Sequence, residues 1–341
     1  QPDHLGLKGI DTLEQLAQVK RIVVEVAQDT AVLNADDPHC LRMADYTKAK
    51  NLCYVTLNPA HTLVREHIRA GGRAVSLESG INGQMITIYD HGTHIPLLWS
   101  HLIPATLEGK ATHNVQNAMF AAALAFSMGV KLEDIRHGLR TFDTTFFQAP
   151  GRMNVFDDHP FKVILDYGHN SSAIEAMCRL VERLDVTGRR TVVLSAPGDR
   201  RDEDIREIGR LCAGRFDHYI CRRDDRPRGR GPDEVPRMLQ QALLDAGVAP
   251  EKVEIIVDEP AAIDAALRAG RTGDVVLIFV DAIARGWKQV TTFKPDVPNA
   301  PAVNPQPAYI ETQVGPEPVL QEGDLLVRDE RGVRLARETD D

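Results

Sequence analysis

The chain has 341 residues, 43% of them apolar, and a formal net charge of −9. That length accommodates two globular domains with ordinary cores, and the acidic balance argues against a general nucleic-acid binder. No run approaches the roughly 18 apolar residues of a membrane-spanning helix, and no signal peptide opens the chain. The five cysteines are scattered without C-x-x-C spacing, so they read as thiols of a reducing cytoplasm.

Residues 11–27 place apolar side chains at helical spacing, with Asp11 or Thr12 as cap and Glu14 supporting a capping box. AVLNADDP (31–38) reads as a short strand followed by a helix that Pro38 opens, and LCYVTL (52–57) as a second strand. Residues 73–99 alternate between glycine turns, which predicts antiparallel strands. Asn114–Met128 is an Ala-rich helix stopped by Gly129, and 132–139 a shorter one. Beyond Gly151 the rhythm changes. Strands at 162–166, 190–195, 217–221, 252–257 and 274–280 alternate with helices near 172–184, 202–213, 233–246 and 260–268. That alternation predicts a mainly parallel sheet with right-handed crossovers. The expected domains are 1–148 and 149–293, with a Pro-rich extended or disordered tail over 294–341.

Five polar clusters are candidates for chemistry. His4, beside Asp3, is a metal ligand or a surface residue near a chain end; Lys20 lies sixteen positions on. Asn114 and Asn117, three apart, offer two amides to one ligand edge, or else simple helix capping. Arg152 in Pro150-Gly151-Arg152 has the rigid fork that grips phosphate, or it forms an interdomain salt bridge. Asp166 ends an apolar run in LDYGHN, at the strand terminus where open parallel sheets bind ligands; turn chemistry is the alternative for His169 and Asn170. Gly198, Asp199, Arg200 and Arg201 follow the next strand and open a helix whose free N–H groups suit an anion, or they form a solvated loop. The basic run RRDDRPRGRG (222–231) is interleaved with acids and has no aromatic platform, so it does not indicate nucleic acid.

The order DHLG, VLNADDP, HNVQNA, PGRMNVF, LDYGHN, PGDRRDED and DAIARGWKQ resembles the Mur ligase family of ATP-dependent amide ligases, and within it the cyanophycin group. The resemblance covers residues 1 to about 293. It implies an α/β fold: part of the family's central ATP-binding domain, then a Rossmann-like, mainly parallel carboxy-terminal domain. It also implies a reaction in which ATP with Mg2+ activates a carboxylate as an acyl phosphate and an amine attacks. For the cyanophycin group the amine is arginine, joined to aspartate side chains of a poly-aspartate peptide. Carried over by motif, His4 and Lys20 would attend the metal, Asn114 and Asn117 the adenine, and Asp166 the ribose. Arg152 would contact phosphate, with Lys20 and His169 beside it in the catalytic set. Asn170, Gly198, Asp199, Arg200 and Arg201 would face substrate.

No G-x-x-G-K-[ST] phosphate loop occurs in the sequence. Because the chain opens on Gln1, that loop and an amino-terminal ATP-grasp region are expected upstream. The isolated chain is then expected to be inactive and, with an open sheet edge, to self-associate into a homo-oligomer. A folylpolyglutamate synthase, a peptidoglycan precursor ligase and a catalytically dead structural module are the rival readings.

Overall fold

The computed structural model describes residues 5–6, 8–295 and 314–337. The chain divides into two compact units. One comprises Asp11–Phe142 with Pro307–Asp341, the other Gln1–Ile10 with Asp143–Gln306.

The first unit begins with α1 (Leu13–Glu25), capped by Thr12. The capping box is closed by Gln15 rather than the expected Glu14, because the third helical position counted from Thr12 is Gln15. There follow β1 (Thr30–Asn34), α2 (Pro38–Arg42), β2 (Asn51–Thr56), α3 (Thr62–Arg69), β3 (Arg73–Gly80), β4 (Gly83–Asp90), β5 (Thr93–Trp99), α4 (Thr112–Ser127) and α5 (Leu132–Thr141). The sheet runs β1-β2-β3-β4-β5, parallel through β3 and antiparallel beyond. One face packs on Val115, Met119 and Ala122 of α4, the other on Leu41 and Leu63.

The second unit holds β6 (Asn154–Phe156), β7 (Lys162–Asp166), α6 (Ser171–Arg183), β8 (Arg190–Leu194), α7 (Asp202–Cys212), β9 (His218–Cys221), α8 (Glu234–Asp245), β10 (Val253–Ile255), α9 (Glu259–Ala269), β11 (Val275–Phe279) and α10 (Ile283–Thr292). Its sheet order is β10-β9-β8-β11-β7-β6, and every pair but β6–β7 is parallel. All five residues of β11 are buried, as befits a parallel strand covered by helices on both faces. The chain passes from β7 to β8 and later returns β11 between them, so the loops after these strands share one sheet edge at a switch in strand order.

Part of the expected disordered tail is ordered. Of residues 294–341, 296–313 and 338–341 lie outside the described residues, but β12 (Asp324–Asp329) and β13 (Gly332–Arg337) form an antiparallel hairpin. The prolines stop at Pro318, and the sequence beyond alternates well enough to bury Val333 and Leu335 beside Leu41, Leu52 and Leu63. Arg42 binds Asp324 at 2.9 Å. His67, fully buried on α3, accepts the Val333 N–H at Nδ1 (3.0 Å) and turns Nε2 to the carbonyls of Arg73 (3.1 Å) and Leu52 (3.3 Å).

Burial lowers the pKa of His67, so the folded chain holds the imidazole neutral with its proton on Nε2. The unfolded chain takes up a proton near pH 6.5, where the folded one does not, so the docking is whole above that pH and weakens as pH falls. Asp329 does not share this titration. Partial burial opposes its ionisation, yet Arg331 and Arg334 hold its carboxyl at about 2. Amide exchange in β13 is therefore expected to accelerate between pH 7.5 and 5 relative to β11. A hairpin equally protected at both pH values would refute the linkage.

Candidate functional site at the carboxyl edge of the parallel sheet

Asp166 ends β7 with 8% of its surface exposed. Its Oδ1 accepts the Gly168 N–H at 2.7 Å and its Oδ2 the Met153 N–H at 2.8 Å. Burial pushes its pKa up, against the pull of those two donors and of Arg152 and His169. The Met153 bond ties the Pro150-Gly151-Arg152 turn to the strand end, and the Tyr167 N–H reaches the Gly151 carbonyl at 2.9 Å. Gly151, at φ 70, must be glycine: a Cβ there would stand 2.6 Å from Ile283 Cδ1. Two stretches separate in sequence thus become one structure. Arg152 projects into solvent over the Tyr167 ring, 5.9 Å from its centroid, and among the described residues no carboxylate pairs with it. His169 sets Nδ1 3.1 Å from the Tyr167 carbonyl, and Asn170 caps α6 by accepting the Ala173 N–H at 2.9 Å. Turn chemistry therefore accounts for part of LDYGHN, while Arg152 lies near enough for its charge to act on the Asp166 carboxyl.

The loop after β8 is gripped by the loop after β9. A Cβ on Gly198 would fall 2.1 Å from the Pro227 carbonyl oxygen, so only glycine fits. Arg230 donates to the carbonyls of Gly198 and Arg200, each at 2.8 Å, and to Asp202 at 2.8 Å. Arg228 holds both oxygens of Asp199 at 2.8 Å. Arg200 is almost buried beside Asp199, and Arg201 pairs with Asp204 through two contacts of 2.8 Å. Gly198→Ala is expected to cost about 1–3 kcal/mol, the usual penalty of overpacking, and to loosen both loops at once. A denaturation midpoint equal to the parent's would show that Pro227 yields freely.

The sequence reading missed the residues beneath these loops. Arg222 is wholly buried and donates to Glu259 and Asp281 at 2.8 Å each, to the Phe279 carbonyl at 2.6 Å and to the Arg223 carbonyl at 2.7 Å. Glu259 accepts the Asp281 N–H at 2.7 Å and also binds Arg285, which holds Asp225 at 2.8 Å. The available signal was position: Arg222 directly follows β9, and Asp281 follows β11 with only Val280 between.

Asn114, Asn117 and Lys20 belong to the first unit. The helix bearing Asn114 and Asn117 begins a turn earlier than capping requires, with Ala111 at the cap, so neither amide caps it. Asn114 instead donates to the Ala105 carbonyl at 2.7 Å, and Asn117 donates to Asn114 at 3.1 Å. Burial pushes the neighbouring His113 down to about 4. Lys20 is exposed on α1, and His4 lies outside the described residues. Among the described residues no group of three or more His, Cys, Asp or Glu side chains gathers to hold a metal. Two surface cavities among the described residues, about 120 and 290 Å³, lie elsewhere, beside Arg21 and Tyr46 and beside Arg215 and Gly247.

Residues 151–280 match the Mur ligase, glutamate ligase domain. The chain is 37% identical over 297 residues to a cyanophycin synthetase of Synechocystis sp., covering 86% of this chain and 33% of that protein. With the cyanophycin synthetase of Trichormus variabilis it shares 39% over 294 residues, covering 84% and 31%. The chain thus spans about a third of the length of these curated relatives. In fold it is similar to the folylpolyglutamate synthase of Mycobacterium tuberculosis (TM-score 0.57, 17% identity, 86% of this chain and 62% of that one). A pseudomurein peptide ligase type C from Methanothermus fervidus is equally similar (TM-score 0.57, 18% identity, 84% and 61%). Motif order and strand order agree with these likenesses: residues 151–280 form a Mur ligase, glutamate ligase domain, in a chain similar along most of its length to cyanophycin synthetases.

Proposed function

We propose that the chain is part of an ATP-dependent amide ligase of the cyanophycin synthetase type, which joins the amine of arginine to aspartate side chains of a poly-aspartate peptide. The likeness to cyanophycin synthetases carries this reading. The sheet edge supports it, because among the described residues no carboxylate forms an ion pair with Arg152, which lies beside a strand-end acid. ATP, when bound, would supply the phosphoryl group that activates the peptide carboxylate. Arg152 would brace its phosphate charge, and each Asp166 oxygen retains a lone pair for a ribose hydroxyl. Asn114 and Asn117 would meet the adenine edge. The described residues gather no ligand set of three or more His, Cys, Asp or Glu side chains for Mg2+. The proposed setting is the cytoplasm: the five cysteines are free thiols, and no described helix is long and apolar enough to cross a membrane.

The test supplies the complete gene product with ATP, poly-aspartate and labelled arginine, glutamate or diaminopimelate. ATP-dependent incorporation of arginine supports the proposal. Preference for glutamate or diaminopimelate would move the chain to another Mur-type ligase, and no incorporation at all would favour a structural module.

A further inference from the structure

Two arginines of the loop after β9 reach the loop after β8, and they do different things. Arg230 is framework, bound to two backbone carbonyls. Arg228 touches the neighbouring loop through a carboxylate: Nη1 lies 2.8 Å from both Asp199 oxygens, and Nη2 lies 3.9 Å from Asp224. Both side chains of the Arg228–Asp199 pair remain 34% exposed. An exposed pair of this kind holds weakly. The backbone delivering it is in the left-handed region, with Arg228 at φ 51 before Gly229 at φ 94, a conformation that side chains with a Cβ adopt at a cost. Asp199 keeps a second donor, Arg200 at 3.1 Å, which would orient the carboxylate if Arg228 left. The loop bearing Asp199 follows β8 at the carboxyl edge of the parallel sheet, the same edge at which Asp166 ends β7.

We propose that Asp199 is a guanidinium-binding carboxylate, and that Arg228 occupies it as an internal substitute until the guanidinium of an incoming arginine displaces it. The ligand rests on the arginine reading above. A planar fork matches a carboxylate edge where the compact ammonium of lysine does not, so the subsite would separate the two amino acids.

The test is NMR titration of the 341-residue chain with L-arginine, L-lysine and guanidinium chloride. Arg228→Gly removes the guanidinium and relieves the backbone; Arg228→Asn, a side chain tolerant of that conformation, is the second variant should the first not fold. Either is expected to tighten L-arginine binding about fivefold, the upper worth of an exposed pair, with less change for L-lysine. Adding Asp199→Asn should erase the gain. Unchanged or weaker L-arginine binding in a folded variant overturns the proposal, as does a gain that survives Asp199→Asn. The two readings fail separately. If the complete gene product incorporates arginine but its KM for arginine is unmoved by Arg228→Gly, the subsite falls alone. If the variant gains affinity for guanidinium while no arginine is incorporated, the subsite stands and the arginine reading falls.

Discussion

Arg222→Ala is expected to destabilise the parallel-sheet unit by about 3–5 kcal/mol, the cost of stripping one partner from a buried ion pair. The size follows from what remains. Glu259 and Asp281 would face each other's charge, with Glu259 fully buried and left with Arg285 as its cation. The Phe279 carbonyl at the end of β11 would lose its donor as well. Urea denaturation should show the midpoint falling at constant slope. A double variant, Arg222→Met with Glu259→Leu, should recover part of the loss, because replacing a buried pair by apolar groups of similar volume is often neutral. A single variant as stable as the parent would mean that water reaches these carboxylates.

The second large effect concerns turnover. Arg152→Ala in the complete gene product is expected to lower kcat by about 10²–10³, the usual loss when one fixed group that stabilises developing charge is removed. Stability should hold, since the Arg152 side chain is exposed and its turn is fixed by the Gly151 N–H on Asn154 Oδ1, the Met153 N–H on Asp166 Oδ2 and the Tyr167 N–H on the Gly151 carbonyl. A folded variant with near-normal kcat removes Arg152 from the site. Asp166→Asn is the companion. Its amide keeps one acceptor oxygen where the carboxylate serves the N–H groups of both Met153 and Gly168, so the turn should loosen. KM for ATP is then expected to rise more than KM for the peptide; a change confined to the peptide would reassign Asp166.

Periodicity made the parallel unit legible because its strands are short apolar runs between amphipathic helices, and Asp166 was conspicuous as an acid at the end of one. What periodicity could not show was partnership. Arg222 finds Asp281 across 59 residues, and nothing local marks a buried arginine inside a run that otherwise reads as solvated charge. Asn114 and Asn117 were seen as a helical pair, but the carbonyl that fixes Asn114 comes from Ala105, in a segment without regular periodicity. The hairpin was hidden differently. Proline content set the reading of 294–341 as a whole, and the alternation over 324–337 was averaged away.

The bond between His67 and Val333 spans 266 residues, and the Asp143–Gln306 part of the parallel-sheet unit lies inside that interval. A ribosome therefore makes α2, α3 and β1 to β5 long before their outer face can close. The entropy of such a closure grows only with the logarithm of the loop, so the delay costs little at equilibrium. Its burden is kinetic. Until residues 324–337 are made, Leu41, Leu52 and Leu63 lack their last neighbours, and the later-made unit can finish folding first. Synthesis halted between the two would leave a folded second unit tethered to an open first one, a species disposed to aggregate and to bind chaperones.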